Sequence, residues 1–267
     1  MPQDPSRHGT RVRRALLIGT DQFTDPGLTA LCAPSSDVEA LARVLGDPSI
    51  GGFALSMAVN TSAAELRVTM EDFFADSARD DLLLLYISTH GLKDIDGNLY
   101  FGATDTRMDR LHSTGVSAKF INELADSSRA SGIIIILDAC YSGAFARGMN
   151  PKADFSVDLV QRFEGRGRVV IASSGTMEYA FEGDSFRELA SDSSDYTSAF
   201  TSAIVQGLET GDADRDQDGY VTTDELYEYV YARMRAAGVP QTPMRWSSAR
   251  GSIVIASTAA SVRDSWL

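Results

Sequence analysis

Apolar residues along this chain fall into short unbroken runs, separated by longer stretches in which they recur at helical spacing. The densest run is Gly132-Ile133-Ile134-Ile135-Ile136-Leu137, closed by Asp138-Ala139-Cys140-Tyr141-Ser142-Gly143. β-Branched residues are stiff at χ1 and suit a strand buried on both faces. Two turns of a buried helix would carry the same run, but it is short and ends in Ser-Gly, which favours a strand. Leu82-Leu83-Leu84-Leu85-Tyr86-Ile87 repeats the pattern and ends in Ser88-Thr89-His90-Gly91. Ala15 to Gly19, Phe53 to Val59, Val169 to Ala172 and Ser252 to Ala256 read as further strands.

Between them lie helical stripes. One begins near Ser36, with Ser35 or Ser36 as its cap and Val38, Leu41, Ala42 and Leu45 on one face. The next is capped by Ser62, with Glu65 three residues on completing a capping box, and buries Leu66, Met70, Phe73 and Phe74. Val116 to Ala130 carries Phe120, Ile121 and Leu124 inward, and Thr197 to Glu209 and Thr223 to Ala236 complete the set. Asn98 to Asp105 reads as a short β excursion. Strands alternating with helices predict an α/β fold, a mostly parallel six-stranded sheet covered on both faces. Periodicity fails from Ala144 to Gly167, expected to be a mobile loop, and again from Glu182 to Asp195.

The 267 residues suit one domain of this kind, expected over 13–257, with polar tails at 1–12 and 258–267. A net charge of −13 argues against nucleic-acid binding, which rests on clustered Lys and Arg. Two cysteines, Cys32 and Cys140, make no disulfide framework, and no C-x-x-C pair suggests zinc. The arginine-bearing stretch from Met1 to Arg14 has no apolar core, so it is no secretory signal, and the apolar runs are too short to span a bilayer. The expectation is a cytoplasmic protein.

In open α/β sheets, ligands bind at the carboxyl ends of the strands. Cys140 and His90 each stand just past such an end. A thiol with pKa near 8.5 is mostly protonated at neutral pH, so a nucleophilic cysteine needs a base beside it. Of the three histidines, His8 lies in the tail and His112 in a loop, which leaves His90. The N–H groups of Gly91 and Cys140 are candidates for an oxyanion site. The competing reading makes Cys140 a buried structural thiol. G-x-S-x-G, the P-loop pattern and G-x-G-x-x-G are all absent.

Ile87-Ser88-Thr89-His90-Gly91 with Asp138-Ala139-Cys140-Tyr141-Ser142-Gly143 resembles the caspase-like cysteine peptidases, in particular their prokaryotic metacaspase or orthocaspase branch. Cys140 follows His90 by 50 residues, the caspase spacing. The likeness extends to the first strand, to Asp37-Val38-Glu39-Ala40-Leu41, to Tyr100 to Asp105, and to Phe200-Thr201 with Gly207-Leu208. It implies a three-layer caspase-like sandwich with a large part (13–143), a linking loop (144–167) and a small part (168–257). It further implies a peptide-bond hydrolase in which His90 is the general base and Cys140 the nucleophile.

Caspases have Gln where this chain has Asp138, and they hold an acidic substrate side chain with arginines. An ionised carboxylate in a partly desolvated pocket instead attracts Lys or Arg. By resemblance to the metacaspase branch, Asp138, Ser88 and Asp37 line the primary pocket and the substrate carries Arg or Lys before the cleaved bond. Asp37 reads equally as a helix-start acid stabilised by the dipole, since Cys32-Ala33-Pro34-Ser35-Ser36-Asp37 is two residues longer than the family pattern. Cys32 itself is expected to be a small buried hydrophobe. Arg147, Lys152, Arg162 and Arg166 in the linking loop are candidate self-cleavage sites. A monomer is expected.

Asp214-x-Asp216-x-Asp218-Gly219-x-x-Thr222-x-x-Glu225 matches a calcium-binding loop at every side-chain position, with the Tyr220 carbonyl as a further ligand. Its alternative is an Asp-rich turn that stays empty. The separate calcium site of metacaspases uses acids after the His strand, for which Asp105, Asp94 and Asp96 are candidates. Set against the peptidase is a catalytically idle caspase-like module that responds to calcium by binding partners.

Overall fold

The computed structural model of the protein describes residues 12–139, 163, 165, 167–173, 197–249 and 251–258. The chain opens with β1 (Arg13–Gly19), α1 (Pro34–Gly46), β2 (Ala54–Val59), α2 (Ala63–Ala75) and β3 (Leu82–Ser88). A small excursion follows: β4 (Gly91–Lys93), β5 (Leu99–Phe101), a 3-10 turn (Met108–Arg110), α3 (Leu111–Thr114) and β6 (Val116–Ser117). Then come α4 (Ala118–Ser127), β7 (Gly132–Asp138), β8 (Arg168–Ala172), α5 (Ala199–Thr210), β9 (Tyr220–Thr222), α6 (Thr223–Ala236), β10 (Met244–Ser247) and β11 (Val254–Ser257).

The main sheet has six strands in the order β10-β8-β7-β3-β1-β2. β2, β1, β3, β7 and β8 are mutually parallel and β10 is antiparallel at the edge. β4, β5 and β6 form an antiparallel ribbon of their own, and β9 pairs with β11.

The alternation of side chains along a strand explains why the apolar runs are unbroken. Ile134 and Ile136 of β7, with Leu84 and Tyr86 of β3, point into one layer, against Leu41 of α1, Phe200 and Ile204 of α5 and Leu226 and Val230 of α6. Ile133, Ile135 and Leu137, with Leu83, Leu85 and Ile87, point into the other, against Met70 and Phe74 of α2 and Ile121 of α4. Each fully buried Leu or Ile contributes roughly 1.5–3 kcal/mol.

Ser62 caps α2 with Glu65 in the predicted capping box. Four expectations are corrected. The sixth strand of the sheet is Met244–Ser247 rather than Ser252 to Ala256, which instead pairs with β9 in the small sheet. Met244–Ser247 is a half-buried edge strand with no apolar run to announce it. α1 has no side-chain cap; it follows Ala33 and starts on Pro34, whose fixed φ suits the first helical position. The stretch predicted as one helix from Val116 begins as β6, with α4 starting at Ala118. Cys32 is exposed, not buried. No helix among the described residues is long and apolar enough to cross a membrane.

Candidate active site

β3 and β7 lie side by side and in register, with Ser88 paired to Asp138 at their carboxyl ends. That register brings together two of the predicted pocket residues. Asp37 joins them because the first turns of α1 pack over the end of the sheet. All three are buried. One Asp37 carboxylate oxygen accepts the Ser88 hydroxyl at 3.2 Å, and the other accepts the backbone N–H of Ser198 at 2.8 Å. Asp37 is therefore turned into the site. It also stands in the first turn of α1.

Ser198 is the N-cap of α5 and ties the two acids together. Its N–H goes to Asp37, and its hydroxyl donates to Asp138, which also accepts the Thr201 hydroxyl at 3.3 Å. Behind Thr201 stands the buried phenol of Tyr86, 2.7 Å from the Thr201 hydroxyl. Burial pushes the Asp37 carboxyl well above the usual carboxylate range, and the neighbouring Asp138 charge pushes it the same way. Burial also raises Asp138, against the opposing hydrogen bonds of the serine and threonine hydroxyls. Tyr86 is raised as well, first by burial and then by the two acids. No Lys or Arg among the described residues compensates either carboxylate. A buried pair of acids without a cation disfavours its own doubly ionised form and favours any cationic group that can enter with hydrogen-bond donors.

His90 lies two residues beyond β3 and is buried. Its Nε2 is 2.8 Å from the carbonyl oxygen of Thr29 in the β1–α1 loop, and the Phe23 ring of that loop packs 4.8 Å from the imidazole, tilted at 37°. A carbonyl can only accept, so this contact requires a proton on Nε2 and leaves Nδ1 as the basic nitrogen of the neutral ring. Below the ring, Gly102 donates to the His90 carbonyl at 2.9 Å, and Thr89 donates its hydroxyl to the Gly102 carbonyl at 2.9 Å. A Cβ on Gly102 would stand 3.0 Å from Phe23 and 3.3 Å from the Thr89 hydroxyl, so the ribbon comes this close only because the residue is glycine. Gly91 faces Phe101 across β4 and β5. The Gly102-to-His90 bond marks this as a non-hydrogen-bonded pair, which turns the Gly91 N–H away from β5. Cys140, predicted as nucleophile and oxyanion donor, lies outside the described residues, as do Arg147, Lys152, Arg162 and Arg166.

At the other end of α5, Gly211 closes the helix at φ 77° and leads into the acidic loop. Carboxylate oxygens of Asp214, Asp216 and Asp218 lie within 4.8 Å of one another, the only such grouping of potential metal ligands among the described residues. Gly219 at φ 91° makes the sharp turn. Glu225 reaches back over the loop: one oxygen accepts the Arg215 N–H at 3.0 Å, the other the Thr222 N–H at 2.9 Å. Burial would raise this carboxyl, but those bonds together hold it below its ordinary value, ready to act as an anion. Hard oxygen donors, converging acids and a sharp glycine turn are the donor set that calcium takes, so the residues present fit the ion. Asp105 instead accepts the Ala63 N–H at the start of α2, at 2.8 Å. Asp94 is occupied by its own turn, accepting the N–H groups of Asp96 and Asn98.

Ser198, Thr201, Thr29 and Phe23 were not predicted as site residues. Ser198 was legible as a helix cap near the start of an apolar stripe, but nothing in its neighbours announces a second partner 60 residues away. Thr29 acts through its backbone, which carries no side-chain signal at all.

A mostly parallel sheet with one antiparallel edge, whose neighbouring central strands end at Ser88 and Asp138 beside a buried acid pair, is an α/β architecture of the caspase type. The chain belongs to the caspase-domain peptidases, cysteine-type enzymes, and the family model matches residues 12–253. The fold resembles caspase-1 from Spodoptera frugiperda at a TM-score of 0.64, with 15% identity over 93% of this chain and 91% of that one. It also resembles protein GSU0716 from Geobacter sulfurreducens at a TM-score of 0.61, with 15% identity over 90% of this chain and 94% of that one. No curated protein matches in sequence.

Proposed function

We propose that this protein is a cysteine endopeptidase that cleaves after Arg or Lys, with His90 and Cys140 as its dyad. The carrying observation is the buried Asp37–Asp138 pair, joined through Ser198 and, among the described residues, without a compensating cation. A guanidinium or ammonium group entering there gains charge-assisted hydrogen bonds from carboxylates that are already desolvated. Ser88 supports this role by holding Asp37.

In the proposed reaction, Nδ1 of His90 takes the thiol proton, and the Cys140 sulfur attacks the carbonyl carbon of the basic residue. The N–H groups of Gly91 and Cys140 receive the developing oxyanion. The imidazolium then protonates the leaving amine, and water, activated by the same nitrogen, hydrolyses the thioester. Asp214, Asp216, Asp218, Thr222, Glu225 and the Tyr220 carbonyl would hold calcium, which would supply a fixed positive charge beside the start of α6. The reading is of an enzyme working in the cytoplasm on protein or peptide substrates.

Fluorogenic peptides that differ only in ending with Arg, Lys or Asp test the proposal. Hydrolysis of the Arg and Lys peptides, lost in His90→Ala and Cys140→Ala, is the expected result. Cleavage of the Asp peptide alone would sink it.

A further inference from the structure

We propose that Asn60, just past the end of β2, is a positioning residue for His90, acting through Asp21 and the β1–α1 loop. The inference rests on the reading of His90 as the general base. The Thr29 carbonyl that holds Nε2 of His90 belongs to an exposed loop, and an exposed loop holds a carbonyl in one place only if something fixes it.

Asp21 fixes one end of this loop. Its backbone N–H and that of Gln22 both donate to Asn60 Oδ1, at 3.0 and 3.1 Å. One carboxylate oxygen accepts Asn60 Nδ2 at 2.7 Å, and the other accepts the Ser35 hydroxyl at the start of α1. The Asp21 carbonyl accepts the N–H of Leu31 at 3.0 Å, two residues from Thr29. The path from Asn60 to the imidazole thus runs through Asp21, Leu31 and the Thr29 carbonyl, with every link a hydrogen bond or a two-residue step of chain.

Asn60 is itself firmly held. Its N–H donates to the Gly19 carbonyl at 2.9 Å, extending the β1–β2 ladder, and it sits at φ 51°, a left-handed conformation that asparagine tolerates better than most residues. Its amide offers an acceptor to two N–H groups and a donor to a carboxylate at once, which no other side chain of its size except glutamine can match. The other end of the loop is fastened separately, with Asp25 accepting the Met108 N–H at 2.8 Å and Leu28 buried against Leu92, Tyr100 and Leu111. The Leu28 N–H also donates to the Asp25 carbonyl at 3.0 Å, so Thr29 is held from both sides, through Leu28 by Asp25 and through Leu31 by Asp21 and Asn60.

Asn60→Gly tests this, since glycine keeps the left-handed backbone and removes only the amide. With the Arg peptide, kcat should fall at least tenfold while KM stays within twofold, because the acid pocket is untouched. Ring 15N shifts of His90, assigned among three histidines by difference from His90→Ala, should change from a single Nε2–H tautomer to a mixture. The double variant Asp21→Asn/Asn60→Asp, which reverses donor and acceptor across the pair, should recover most of kcat. If Asn60→Gly does not fold, Asp21→Asn alone should lower kcat at least threefold, since the backbone bonds remain. Wild-type kcat, or lowered kcat with the wild-type tautomer, overturns the inference. Failure of the base assignment reads out separately, as activity surviving in His90→Ala.

Discussion

Two groups of aspartates stand at the two ends of α5, and solvent makes them different chemical objects. At the N-terminal end, Asp37 and Asp138 are buried among hydroxyls, Asp37 pushed well above its ordinary value and Asp138 raised as well. At the C-terminal end, Asp214, Asp216 and Asp218 converge on an open surface, and Asp216 and Asp218 are exposed. Water screens the second group, so three like charges are tolerated there; a low-dielectric site amplifies the repulsion of the first pair. The open loop has carboxylates and carbonyls that replace the water around a hard ion. The same residue type is thus a desolvated pair in one place and a solvated cluster in the other, and burial makes the difference.

Replacing Asp138 by Asn should have the largest effect. Truncating one member of a buried hydrogen-bonded charge contact costs about 2–5 kcal/mol. The kcat/KM for the Arg peptide is therefore expected to fall by about two to three orders of magnitude, measured against wild type at neutral pH. An unchanged value would detach the buried pair from specificity.

Calcium comes next. At 100 times its Kd a ligand stabilises the fold by about 2.7 kcal/mol, which is a Tm rise of about 5–10 °C for a protein of this size. Chelation should reverse the shift, Asp216→Ala should abolish it, and Asp138→Asn should keep it. A shift lost in Asp138→Asn would show the two groups to be one coupled system rather than two independent ones.

The smallest effect concerns pH. A carboxyl whose folded pKa is raised contributes stability that is fully present below its unfolded pKa and lost as pH rises through the folded value. The stability that the pair contributes is therefore lost as pH rises from about 4 through its raised folded values. Asp138→Asn should melt a few degrees above wild type at pH 7, with the gap closing as pH approaches about 4. Over the same range KM for the Arg peptide should rise as pH falls, since only the ionised pair holds a cation. A melting gap that widens on acidification would reverse the assignment.

Much of this was legible in the chain because the relevant signals are local. Unbroken runs such as Ile133 to Leu137 can be satisfied only between two apolar layers, so the buried parallel sheet follows from composition over six or seven residues. A histidine and a cysteine just past two such runs follow from the same pattern, and the calcium-like loop follows from spacing within one turn. The half-buried edge strand Met244–Ser247 was not legible, because its place is set by hydrogen bonds to β8 and not by its own residues. Nor was the exposure of Cys32, whose surroundings are distant in sequence.

The sequence by itself determined that strands end in His90 and in Asp138, because hydrophobic periodicity is written residue by residue. Only the tertiary structure decided that Asp37 faces Asp138 rather than merely starting a helix, that Ser198 joins them, and that the Thr29 carbonyl orients His90. These contacts span from 60 to 161 residues of chain. They depend on which strands are neighbours and which loops pack over their ends, and no local pattern carries that information.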